Sequence, residues 1–221
     1  MLRGWRVTSA EPGRPGRTYR SARRVQAAAD TRAAILDAAM RLFRDHGYGK
    51  VTVQDIAREA STAVPTVYAS TGGKAAILGA LIEDAMEDPI VAETLNAVDK
   101  CADARGAIRV LVHGVRVDNE RYHHIIQIMK AAATLDDTAA DVLARSDETY
   151  RQYLRQAVDH VRKTGTLRPG LTPGRAADIA WYYLGHQSWS LLAMSRRWPW
   201  DDAEQWVAGQ LTAALLGTQE N

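Results

Sequence analysis

Alanine fills 37 of the 221 positions and phenylalanine only one, and no other feature restricts the fold as much. Alanine is the best helix former and a poor strand residue, so this bias points to an all-α chain. The apolar spacing agrees. Ile35, Leu36, Ala39, Leu42 and Phe43 recur at three- and four-residue intervals, and Gly47 suits the left-handed position after the helix they define. Thr52, with Asp55 three residues on, caps a second short helix, and Pro65 fits the first turn of a third. The helical period then resumes over 74–87, 90–100, 104–117, 121–135 and 139–164. Glycines and prolines mark 165–174 as a loop. Thr172-Pro173 opens a helix to about Arg197, and Asp201 with Glu204 opens a last one to about Leu216. The expected architecture is about nine helices and no strand.

With a single cysteine, Cys101, no intrachain disulfide forms. The N-terminus has no apolar run of signal-peptide length. The longest uncharged stretch, 179–195, is interrupted by His186, Gln187, Ser188 and Ser190, too polar and too short for a bilayer span. A soluble, cytoplasmic protein without a membrane partner is expected. The net charge of +2 conceals a division, because residues 1–29 carry seven arginines and one acid while the rest is mildly acidic. Residues 1–29 are therefore expected to be a basic, flexible arm whose partner is a polyanion, with Arg20, Arg23 and Arg24 as candidate DNA contacts.

Residues 51–70, VTVQDIAREASTAVPTVYAS, place a short helix, a tight break and a second short helix in succession. That is the layout of a helix-turn-helix, whose second helix lies in the major groove of double-stranded DNA. Val64, Pro65 and Thr66 are small, suited to touching thymine methyls and supplying one hydroxyl. Thr52, Tyr68 and Lys74 carry donors at or near helix starts, suited to phosphate oxygens. Over 31–78 the chain resembles the DNA-binding domain of the tetracycline-repressor (TetR) family. The resemblance rests on Ile35-Leu36, Ala39, Leu42-Phe43, Gly47-Tyr48, Val51-Thr52, Asp55-Ile56-Ala57, Thr66-Val67-Tyr68, Lys74 and Ile77-Leu78. Ser61 stands where the family usually has glycine, and Thr71 where it has an aromatic. The resemblance implies a DNA-binding domain at 30–78 and a ligand-binding and dimerisation domain at 79–221. It further implies a homodimer through the last two helices and a small-molecule effector.

Five of the six tryptophans fall in the last 41 residues. Packing at a subunit interface is their ordinary use. The alternative is an aromatic effector site built from Trp181, Tyr182, His186 and Trp189, with Tyr122 or Met129 opposite. No H-E-x-x-H, phosphate loop or nucleophile elbow occurs, and the adjacent His123 and His124 diverge on a helix. No catalytic residue, metal ligand or cofactor is assigned. The function expected is a transcriptional regulator, a repressor released from a palindromic operator by a mainly apolar ligand. The rivals are a helical binding or scaffold protein that has lost DNA binding, and an all-α enzyme using His123 or His186 as base.

Overall fold

The computed structural model describes residues 17–86 and 88–216. Every regular element among them is helical: α1 (Arg17–His46), α2 (Val53–Glu59), α3 (Val64–Thr71), α4 (Lys74–Met86), α5 (Pro89–Asp99), α6 (Ala104–Ala133), α7 (Asp137–Thr164), α8 (Pro173–Leu184), α9 (His186–Trp189) and α10 (Trp200–Leu216). A 3-10 turn covers Tyr48–Lys50, and a π-helical turn, Ser190–Ser195, continues α9. None of the described helices is long and apolar enough to cross a membrane.

Local chemistry sets most boundaries. Gly47, at φ 80°, ends α1 in the left-handed region, and its N–H returns to Phe43 O at 2.9 Å. Thr52 and Asp55 form a full capping box at the start of α2. Asp88, Asp103, Asp136 and Thr172 cap α5, α6, α7 and α8 with their side-chain oxygens.

Three boundaries differ from those expected. First, α1 begins at Arg17, so 17–29 extends a helix and the expected flexible arm does not hold there. Between Gly16 and Gly47 the sequence is rich in Ala and Arg with no breaker, and those propensities prevail over like-charge repulsion. Residues 1–16, the rest of the expected arm, lie outside the described residues. Second, α6 runs unbroken through Asp118-Asn119-Glu120. Asn119 is buried but donates its amide to Val115 O one turn back at 2.8 Å, so the polar patch needs no break. Third, the helix expected to continue to Arg197 stops at Gly185. A Cβ there would lie 2.7 Å from Trp181 O, so the sharp turn requires glycine.

Two apolar cores result. One joins α1–α4 through Ile35, Phe43, Ile56, Val67, Ile77 and Leu78. It does not end at residue 78, because Ile128, Met129 and Ala132 of α6 and Ala139 of α7 complete it. The other joins α5–α8 and α10 around Ile108, Leu154, Leu184, Trp189 and Leu211. Helix α6 thus belongs to both.

Candidate nucleic-acid interface and internal cavity

The turn between α2 and α3 is built around Ser61, which takes φ 52° where only short polar residues and glycine are comfortable. Thr62 N–H closes the turn on Ala57 O at 2.9 Å. Val53, Ile56 and Ala57 of α2 and Val67 of α3 face the core. The helical period consequently turns Pro65, Thr66 and Tyr68 outward, while Val64 packs partly against the core. The exposed face of α3 offers two hydroxyls and small apolar surface, with no charged side chain on the helix. That chemistry suits base edges and methyl groups more than a strong phosphate clamp.

The expected phosphate contacts are placed less simply. Thr52 is occupied as a cap: its N–H donates to Asp55 Oδ2 at 3.0 Å and its hydroxyl donates to the same oxygen at 2.6 Å. Lys74 turns inward, donating to Tyr48 O at 3.0 Å with its ammonium 4.2 Å from the Tyr48 ring centre. Tyr48 itself donates to Asp136 Oδ2 at 3.0 Å. Burial, then this carboxylate, pushes the Tyr48 phenol above its ordinary range. Lys74, Tyr48 and Asp136 therefore connect the N-terminal unit to the start of α7, a role that sequence spacing gave no sign of. Arg41, Arg44 and Arg58 pair with Glu59, Asp45 and Asp55. Arg23, Arg24 and Lys50 are exposed; the Arg20 side chain lies outside the described part of the structure.

Between α4, α5, α6 and α7 lies a cavity of two lobes. The inner lobe is lined by Ile90, Leu95, Leu111, Leu154 and neighbours; the outer by Ile82, Tyr122, Ile125 and His186. Val91, Asp118, Tyr150 and Tyr153 line both. At its edge His186 contacts Asn119 Oδ1 through Nδ1 at 2.8 Å and stacks on Tyr150 at 5.2 Å. Burial holds the His186 pKa down to about 4, so the ring is neutral at pH 7 and Nδ1 is the donor. Burial and the nearby Asp88 push Asp118 up to about 6.

The six residues expected at an effector site are divided among different surroundings. Tyr122 and His186 line the outer lobe. Trp181, Tyr182 and His186 line a neighbouring cleft with Lys130 and Asp147. Tyr182 is 72% exposed. Met129 is not opposite them but in the N-terminal core, and Trp189 is buried in the second core, stacked on Trp200 at 6.1 Å. An apolar stripe tells which residues are buried, not which neighbour buries them. Asp118, Tyr150 and Tyr153 were missed because each sits among charged residues on α6 or α7, and only the pairing of those helices brings them together.

Residues 35–81 match the model of the family described as bacterial regulatory proteins, tetR family. A search of curated protein sequences finds no match. Similar solved structures include NalD, the secondary repressor of the MexAB-OprM multidrug efflux pump in Pseudomonas aeruginosa. It is 20% identical with TM-score 0.69, over 86% of this chain and 98% of that one. SmeT, the repressor of the Stenotrophomonas maltophilia multidrug efflux pump SmeDEF, is 20% identical with TM-score 0.64, over 84% and 92%. The fatty acid degradation regulator FadR from Bacillus halodurans is 18% identical with TM-score 0.67, over 81% and 93%. At these identities the likeness is one of fold, extending over most of each chain. Residues 35–81 thus carry the sequence pattern of the tetR family of bacterial regulatory proteins, and the fold beyond them is shared with the solved regulators named above.

Proposed function

We propose that the protein is a homodimeric repressor that binds a pseudo-palindromic operator and releases it when a small molecule enters the α4–α7 cavity. One observation carries this reading: α6 walls the cavity through Asp118, Tyr122 and Ile125 and enters the N-terminal core through Ile128, Met129 and Ala132. A displacement of α6 by a ligand is thereby delivered to the body that carries α3. Solved relatives named as a complex of SmeT with triclosan and as a regulator from Saccharomonospora viridis with choline support a small-molecule effector in this fold.

The dimer is assigned to α8 and α10 with the segment between them. Tyr182, Leu191, Trp198 and Trp206 are large, apolar and exposed there, at 72%, 53%, 39% and 43%. Such exposure is unusual for a surface that meets only water. One eight-residue recognition helix reads only a few base pairs, so useful specificity requires two copies. The rival reading, a helical binding protein without DNA activity, is favoured by the inward Lys74 and the occupied Thr52. Selection of duplexes from a random pool separates the two. Enrichment of two inverted half-sites, centred about one helical turn or a multiple apart, is expected. No enrichment would leave the rival reading.

A further inference from the structure

Asp118 is the only charged side chain lining the inner lobe of the cavity and, with His186 neutral, the only charge lining the outer one, among the described residues. No hydrogen bond or ion pair among those residues reaches its carboxylate. Arg121, the nearest cation acting on it, is committed to Asp88 at 2.6 Å, and Asp88 repels it. Aromatic rings stand beside it. Tyr150 and Tyr153 line both lobes with Asp118, and Tyr122 joins them in the outer one. Two of those phenols direct their hydrogens elsewhere: Tyr150 donates to Leu184 O at 2.8 Å and Tyr122 to Asp88. Neither hydroxyl is then directed at a ligand, and the rings remain as its contact surface.

A carboxylate without a partner, beside tyrosine rings and apolar walls, discriminates by charge. An anion is repelled, a neutral molecule is tolerated, and a cation gains both the carboxylate and the negative ring faces, the arrangement by which proteins hold quaternary ammonium groups. The inner lobe beyond Asp118 is lined by Ile90, Leu95, Leu111 and Leu154 and would take an apolar body. We propose that the effector is a lipophilic organic cation whose charge pairs with Asp118 and whose apolar part fills the inner lobe. The assignment rests on reading this cavity as the effector site. The high pKa of Asp118 fits it, since burial without a counter-charge raises a carboxyl and a bound cation reverses the effect.

Decyltrimethylammonium, decanol and decanoate share one chain and differ in head-group charge. Calorimetric titration of the intact protein at pH 8 should find the cation bound roughly thirtyfold or more tightly than decanol, the scale for pairing a partly buried charge, with decanoate weakest. Asp118→Asn should abolish the gap by weakening the cation alone, with retained decanol binding reporting an intact cavity. Equal affinities for the three probes, or an unchanged cation preference in Asp118→Asn, would overturn the proposal. Operator affinity, measured alongside, separates the two readings. Cation binding through Asp118 without loss of DNA affinity overturns the effector role and supports the cation site. Release of DNA by decanol or decanoate as readily as by the cation overturns the cation assignment only. Binding by none of the three overturns both.

Discussion

Gly114→Ala is expected to lower the thermal unfolding midpoint by roughly 4–8 °C, the shift produced by about 2 kcal/mol in a chain of this size. Helix propensity alone predicts the opposite sign, since alanine replacing glycine inside a helix gains up to about 1 kcal/mol. Contact geometry decides. A Cβ on Gly114 would lie 2.0 Å from Thr94 Oγ1, 2.4 Å from its Cγ2 and 2.7 Å from its Cβ. The Thr94 β-carbon cannot rotate away, so α5 and α6 must separate, and overpacking of this kind costs about 1–3 kcal/mol or more. Thr94→Ala in the same chain removes the two closest atoms and should recover part of the loss, an interaction measurable as non-additivity. An unchanged or raised midpoint for Gly114→Ala alone would show that the two helices are not in this contact.

The second large effect is a pH dependence through His186. Its pKa is about 4 in the folded protein against an ordinary 6.5, lowered first by burial and then by the charge of Lys130. The unfolded chain therefore binds this proton more readily than the folded one. The contribution of the neutral ring to stability is complete above about pH 7 and falls as pH drops from 6.5 toward 4. Its size is about 2 kcal/mol, taken below the full value for the pKa difference because the ring keeps some solvent contact. Asp118 acts with the reverse sign, since a raised carboxyl pKa favours folding as pH falls below 6. The groups around them, Asp88, Arg121, Tyr122, Asp147, Tyr150 and Tyr153, are common to wild type and His186→Gln. The measurement is therefore the difference in unfolding free energy between these two proteins at pH 7.5 and at pH 4.5. Wild type should lose about 2 kcal/mol relative to His186→Gln on acidification. A constant difference would mean that His186 is protonated as easily in the folded state as outside it.

The helix-turn-helix was legible because its signals are local. Gly47 ends α1, Thr52 with Asp55 caps α2, Pro65 lies in the first turn of α3, and Ser61 accepts the positive φ of the turn. Each depends on neighbours within a few residues, as does the outward face of Pro65, Thr66 and Tyr68 that follows from a buried Val67. The cavity was not legible for the complementary reason. Asp118 and Tyr150 meet only because α6 and α7 pair lengthwise, and nothing in the order of residues fixes their register. Lys74 misled for a third reason. A lysine at a helix start is equally suited to an external phosphate and to an internal carbonyl, and here it takes the Tyr48 carbonyl. Met129 and Trp189 satisfied the same apolar pattern as cavity residues but face the two cores.

The central claim, that α3 reads DNA sequence through its exposed face, is tested by the affinity of Thr66→Ala for a selected operator and for random duplex at one salt concentration. Removing a single base contact typically costs about 1–3 kcal/mol on the cognate site and leaves non-specific, phosphate-driven binding intact. Tyr68→Phe provides the control, because loss of a phosphate-directed hydroxyl weakens both duplexes alike. A cognate affinity reduced roughly five- to a hundredfold is expected for Thr66→Ala, with random-duplex affinity unchanged. Equal weakening on both duplexes, or none on either, would contradict base reading by α3.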